Sequence, residues 1–124
     1  MNGDAKVSAL RDKAMKLGHI PSQHTVREAV AASLQSGASL RQIASRLGFS
    51  TRSLQRHLAA SGTCHSAIVA EVRLATACRL LTETDEKVSR IALLLGYTGP
   101  TSFSRSFMRL MKIQPASYRR QRRK

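Results

Sequence analysis

The sequence is poor in aromatic residues, and this scarcity restricts the kind of core it can build. Aromatics make up 4% of the 124 residues, with three phenylalanines, two tyrosines and no tryptophan. Hydrophobic residues nevertheless make up 42% of the chain, so leucine, isoleucine, valine and alanine must supply most of the core. Such residues suit packed helices, and the composition therefore predicts an all-α protein.

Cysteine is also scarce, and neither it nor histidine has the spacing of a disulfide framework or a metal site. Cys64 and Cys78 fall in or beside one predicted helix, where the rise per residue would hold their Cα atoms roughly 20 Å apart. We expect free, buried thiols. The four histidines show no zinc-ligand spacing, and no CxxC pair occurs. The sequence indicates no metal and no other cofactor.

Long apolar runs and catalytic motifs are missing as well. No stretch approaches the roughly 18 residues of a membrane-spanning helix, and residues 1–16 lack the apolar segment of a secretion signal. The acids are scattered, no glycine-rich phosphate loop occurs, and serine, histidine and aspartate show no catalytic spacing. We expect a non-enzymatic protein of the cytoplasm.

Acidic residues number only seven against 21 lysines and arginines, which gives a formal net charge of +14. The imbalance is uneven along the chain. Residues 87–124 contain ten basic residues and no acid, whereas residues 71–86 contain four of the seven acids. Such a charge predicts a polyanionic partner, with nucleic acid ahead of a membrane surface.

The pattern of apolar and turn residues divides the chain into four segments. They are a polar leader or linker (1–21), a first helical subdomain (22–62), a linker helix (63–82, with its apolar stripe over 66–81), and a second helical subdomain with a basic C-terminal tail (83–124). Ser39 and Ser50 are predicted helix N-caps, and Pro100 and Pro115 are predicted to begin helices.

The two helical subdomains repeat one another. The stretch "IASRLGF" at residues 43–49 corresponds to "IALLLGY" at residues 91–97, an offset of 48 positions. Beyond the turn the offset becomes 49, which places Leu54 and Leu58 over Phe103 and Phe107. Each copy is predicted to be a helix-turn-helix unit.

The second helix of each unit has an apolar face and a polar face. In the first copy, Leu54 and Leu58 are expected to pack inward, and the outward positions are Arg52, Gln55, Arg56 and Ala59. In the second copy, Phe103 and Phe107 are expected to pack inward, and the outward positions are Thr101, Ser104, Arg105 and Met108. A single copy could be a plain helical hairpin with a solvated basic face. Two matched copies favour DNA recognition, since arginine can bind guanine in the major groove.

Residues 39–119 resemble the DNA-binding domain of AraC/XylS-family transcription regulators. The resemblance rests on "IASRLGFSTRSLQRHL", "RLATACRLLTETD" and "VSRIALLLGYTGPTSFSRSFMRLMKIQPASYR". It implies about seven helices, forming two helix-turn-helix subdomains joined by a long linker helix, with recognition helices that enter successive major grooves on one face of DNA. The family usually has glycine where Lys112 stands, and often an acidic or amide residue where Gly99 stands.

The resemblance places the base-reading positions on the two recognition helices. In the first they are Arg52, Gln55 and Arg56. In the second they are Thr101, Ser102, Ser104 and Arg105. The uneven charge adds predicted phosphate contacts at Arg109, Arg119, Arg120, Arg122, Arg123 and Lys124. For the last five, a solvated chain end is an equal alternative.

The sequence thus predicts a sequence-specific, duplex-DNA-binding transcription regulator from a bacterium, and by family resemblance an activator. We expect cytoplasmic and nucleoid-associated localisation, a promoter-region DNA partner, RNA polymerase as a further partner, and one monomer on each site. The alternative is a non-enzymatic basic helical module that binds RNA or an anionic membrane surface. RNA binders more often expose aromatic residues, whereas the aromatics of this chain fall at predicted core positions.

Overall fold

The computed structural model describes residues 22–123, and within this range all regular secondary structure is helical, with no strand. The seven α-helices are α1 (Gln23–Ser33), α2 (Leu40–Leu47), α3 (Thr51–Ala60), α4 (His65–Glu83), α5 (Val88–Leu94), α6 (Pro100–Met111) and α7 (Pro115–Arg122). A short 3₁₀ turn, Leu34–Ser36, follows α1. The predicted all-α class is confirmed, and the predicted leader over residues 1–21 lies outside the described residues.

The helix starts follow the signals in the sequence. Ser39 and Ser50 precede α2 and α3, and each side-chain oxygen accepts a hydrogen bond of 3.1 Å from a backbone N–H in the first turn. Pro100 and Pro115 begin α6 and α7, where a missing N–H costs nothing because no intrahelical acceptor is available. These predicted starts are confirmed.

The described residues form two compact units. The first unit comprises residues 22–33 and 38–70, and the second comprises residues 34–37 and 71–123. Helix α4 contributes its first six residues to the first unit and the remainder to the second. Each unit has its own buried set of side chains.

The first unit buries apolar residues from α1 to the start of α4. They are Val26, Val30, Ile43, Leu54, Leu58 and Ile68, each at most 2% exposed. The turn before α2 is fixed by a hydrogen bond between His65 Nε2 and the carbonyl oxygen of Ala38, at 2.7 Å. Ala38 is buried with a left-handed φ of 48°, so this bond holds a conformation that alanine disfavours.

The second unit buries its own set of apolar residues. They are Leu34, Ala77, Leu81, Ile91, Ala92, Leu95, Phe103 and Phe107. Four of the five aromatic rings of the chain lie here in one row. Tyr97, Phe103, Phe107 and Tyr118 follow one another with centroids 5.5, 5.8 and 5.5 Å apart. The two phenylalanines are fully buried as predicted, whereas both tyrosines are half-buried.

The cysteines are free, but the expectation that both are buried is wrong. Cys64 is exposed because α4 begins one residue later, and the apolar stripe of that helix starts at Ile68. A hydrogen bond with the Ser66 hydroxyl, at 3.3 Å, lowers the pKa of the Cys64 thiol. Cys78 is half-buried. Its hydrogen bond with the Tyr118 hydroxyl raises the pKa of Tyr118.

Candidate nucleic-acid interface

The two turns of the repeat have the same backbone hydrogen bonds. The N–H of Phe49 donates to the carbonyl of Ala44 at 2.9 Å, and the N–H of Tyr97 donates to the carbonyl of Ala92 at 3.0 Å. Both turns also place a glycine in the left-handed region, with φ of 78° and 91°. The repeat in the sequence is therefore a repeat in structure, and each copy is a helix-turn-helix.

Helix α3 presents the predicted outer face of the first copy to solvent. Leu54 and Leu58 are 0% and 2% exposed and anchor the helix to its core. The three predicted base-reading residues, Arg52, Gln55 and Arg56, are all exposed. Two guanidinium groups and one amide on a single helical face can donate to base edges in a major groove.

Helix α6 presents the corresponding face of the second copy. Phe103 and Phe107 are 1% and 2% exposed and anchor this helix. Thr101, Ser102 and Arg105 are exposed and Ser104 is half-buried. The hydroxyl of Ser102 donates to the carbonyl of Gly99 at 3.2 Å, so it also helps to begin the helix, which has no side-chain cap.

A shallow open groove runs along the outer face of α6. Its lining includes Thr101, Ser104, Arg105, Met108 and Arg109. The groove thus collects three of the predicted base-reading residues of the second copy and one predicted phosphate contact, Arg109. It also contains Met108, an apolar residue to which the sequence assigned no contact.

Arg119 has partners within the protein that the sequence did not show. Its Nε donates to the carbonyl of Leu81 at 2.9 Å, and its Nη2 donates to the carbonyl of Thr84 at 3.2 Å. These acceptors lie at the C-terminal end of α4, where carbonyls have no helical partner. A guanidinium held by carbonyls in this way caps α4, and the phosphate contact of Arg119 stays a prediction.

The other arginines of the tail differ in the contacts that their guanidinium groups make within the protein. Arg123 lies 2.7 Å from Asp85 and donates to the carbonyl of Thr84 at 3.3 Å. Arg122 is exposed and stacks over the Tyr118 ring, 5.3 Å from its centroid. Arg120 is exposed and its contact is a 3.1 Å hydrogen bond to Ser117. Lys124 lies outside the described residues.

Arg73 is a second positioning residue that sequence reasoning missed. From α4 its Nε donates to the carbonyl of Leu95 at 3.0 Å, and its guanidinium lies over the Tyr97 ring, 5.1 Å from the centroid. Both contacts hold the turn that leads into α6. The acceptor of the Arg73 Nε is a backbone carbonyl, which no sequence pattern marks.

Lys112 ends α6 in the left-handed region with φ of 62°. This explains why a related sequence would use glycine here, since left-handed backbone strains any residue with a Cβ. Its N–H donates to the carbonyl of Met108 at 2.9 Å. The departure from the family pattern therefore leaves the end of the recognition helix intact.

Two further properties bear on the chemistry of the described chain. Over residues 22–123, no group of three or more histidine, cysteine, aspartate or glutamate residues could hold a metal ion. None of the seven described helices combines the length and the apolar character needed to cross a bilayer.

Sequences similar to this chain include helix-turn-helix proteins. The profile of a helix-turn-helix domain family matches residues 43–121. The HTH-type transcriptional regulator VirS of Mycobacterium tuberculosis is 35% identical over 124 residues, which cover 95% of this chain and 36% of VirS. The chain spans between 24% and 36% of the length of the first curated relatives that it matches.

Solved structures of similar fold include a transcriptional regulator with an AraC-type DNA-binding domain from Chromobacterium violaceum. It has a TM-score of 0.69 at 30% identity, covering 78% of this chain and 88% of that chain. The DNA-binding domain of AdpA, solved in complex with a target DNA, has a TM-score of 0.62 at 26% identity, covering 77% of this chain and 90% of that chain. With the profile match extending over more than half of the sequence, the chain belongs to the AraC-type helix-turn-helix family.

Proposed function

We propose that this chain is the sequence-specific, duplex-DNA-binding part of a bacterial transcription regulator, and that it reads two major-groove segments with α3 and α6. The observation that supports this most strongly is the repeated turn. It places Arg56 and Arg105 at corresponding, exposed positions of two helices anchored by buried residues. The two arginines are proposed to donate to guanine edges, with Arg52, Gln55, Thr101, Ser102 and Ser104 as further base-reading residues.

The remaining parts of the proposal concern the whole regulator. We propose a non-enzymatic activator of the bacterial cytoplasm, associated with the nucleoid when bound, that occupies each site as a monomer and contacts RNA polymerase. The division into segments 1–21, 22–62, 63–82 and 83–124 is part of this proposal. The proposed phosphate contacts are Arg109, Arg120 and Arg122, all exposed, together with Arg119, Arg123 and Lys124.

The test begins with selection of bound sequences from a random duplex pool, followed by titration of the selected duplex. We expect one preferred duplex, bound more tightly than RNA of the same length or anionic vesicles. Tighter binding to RNA or to vesicles would instead support the alternative of a basic helical module without sequence preference for DNA.

The site assignment is tested with Arg56→Ala and Arg105→Ala. Each substitution should cost about 1–3 kcal/mol on the selected duplex and relax the preference at one position, because a bidentate contact to a base is lost. Arg79→Ala removes the same charge from an exposed position on α4 and is the matched control, which should leave the preference unchanged. Unaltered preference in both test variants would remove the assignment.

A further inference from the structure

Met108 is an exposed apolar side chain in the middle of a polar surface. It is 41% exposed, and it follows Thr101 by seven residues and Arg105 by three, so that all three share one helical face. The same residue lines the groove on α6 together with Arg105 and Arg109. A large apolar group flanked by two arginines faces solvent where the proposed function places DNA.

The fold does not require an apolar residue at this position. Phe103 and Phe107 already anchor α6 from the opposite face. The corresponding position of the first copy, 49 residues earlier, is Ala59, which is also exposed. The two recognition helices therefore differ here by a long, flexible thioether side chain that reaches further from the helix than a methyl group.

The chemistry of the major groove offers one apolar partner to such a side chain. Guanine, cytosine and adenine present donors and acceptors there, whereas thymine also presents its 5-methyl group. We propose that Met108 contacts the 5-methyl group of a thymine in the DNA segment read by α6. This inference rests on the proposed function and adds a specificity-determining residue to it, one that acts without a hydrogen bond.

The contact can be isolated chemically, because replacing thymine by deoxyuridine removes the methyl group and keeps base pairing and every phosphate. Each thymine of the selected duplex is replaced singly, and affinity is measured by fluorescence anisotropy. For the unaltered chain we expect one thymine whose replacement lowers affinity about two- to fivefold, the size expected for one buried methyl group. In Met108→Ala the same replacement should have no effect.

Leu110→Ala is the matched control. Leu110 is 49% exposed and lies seven residues after Phe103, so it shares the helix face of Phe103 and is not part of the groove lining. This variant should keep the full deoxyuridine effect.

Two results would overturn the inference. They are an equal deoxyuridine effect in Met108→Ala and in the unaltered chain, or the absence of any sensitive thymine. Each of these results still requires specific binding to duplex DNA, so the proposed function would stand. A chain that selects no duplex sequence at all would refute the proposed function itself, and this inference with it.

Discussion

At the scale of single residues, Gly96 has little freedom to change. It has a φ of 91°, and a Cβ added there would overlap the carbonyl oxygen of Leu34. Gly62 shares the left-handed backbone, with φ of 80°, but has open space where its Cβ would be. Alanine substitutions at these two glycines therefore separate the cost of backbone strain from the cost of a steric clash.

We predict that Gly62→Ala lowers the free energy of unfolding by about 1–2 kcal/mol, which is the strain of left-handed alanine. Gly96→Ala should lower it by roughly 2–4 kcal/mol, because the clash adds to the same strain. Urea denaturation followed by circular dichroism measures both. Equal losses would mean that the backbone at Leu34 moves aside without cost.

Residue faces could be predicted from the sequence, whereas several residue partners could not. Helical spacing alone placed Leu54 and Phe103 inside, because one face of each helix is apolar throughout. The roles of Arg73 and Arg119 were missed because both bind backbone carbonyls, and every residue of the chain carries a carbonyl. The roles of such residues depend on which loop they meet, and this is decided only in the folded chain.

At the scale of elements, α7 is tied to the end of α4 by arginine side chains. Arg119 bonds the carbonyls of Leu81 and Thr84, and Arg123 pairs with Asp85. The basic tail is thus partly a structural element. Its deletion would remove these caps together with any phosphate contacts, so single substitutions are needed to separate stability from DNA binding.

We predict opposite behaviour for two neighbouring arginines. Arg119→Ala should lower the free energy of unfolding by about 1–3 kcal/mol, because half-buried carbonyls lose a charged donor. Arg120→Ala, at an exposed position, should change stability by less than about 0.5 kcal/mol. It should instead reduce the slope of log affinity against log salt by about one.

Thermal melts of the free chain and salt titrations of the complex, performed on both variants, check this pair. If Arg119→Ala melts like the unaltered chain, the carbonyl contacts carry no stability. If Arg120→Ala leaves the salt slope unaltered, the outer part of the tail is a solvated chain end.

The positions of the helices were predicted well from the sequence. Helix α4, the longest of the described helices, shows why helix ends are harder to predict. The apolar stripe predicted a linker helix over residues 66–81, whereas α4 spans His65–Glu83. Helix α4 thus continues through Thr82 and Glu83, two polar residues beyond the apolar stripe, and the Thr82 hydroxyl donates to the carbonyl of Cys78 at 2.9 Å. Apolar periodicity detects buried positions, and it cannot detect helix ends that are held by side-chain hydrogen bonds.

At the scale of the whole molecule, the two units differ in the side chains they would offer to DNA. The first has two arginines and a glutamine on its outer face, and the second has one arginine among hydroxyl groups and a methionine. A bound site should therefore be asymmetric, and one chain should suffice to read it without a palindrome.

We predict that inserting five base pairs between the two contacted segments lowers specific affinity to nearly that of one unit alone. Five pairs turn one segment by about half a turn, since duplex DNA repeats every 10–10.5 base pairs. The two units would then have to reach opposite faces. A five-pair insertion outside both segments is the control and should have no effect. Equal affinity for both insertions would show that a single unit reads the site.

The path of the chain between the two units limits how their halves can be exchanged between related proteins. Residues 34–37 pack with the second unit, although the helices on either side of them belong to the first, and Leu34 is 3% exposed within that second core. A fragment that begins at the middle of α4 and contains the rest of the second unit would thus lack Leu34, one of the core side chains of that unit. Grafting a new specificity onto this scaffold should exchange the outer-face side chains of α3 and α6 one by one, because the second half, cut in this way, is not a self-contained cassette.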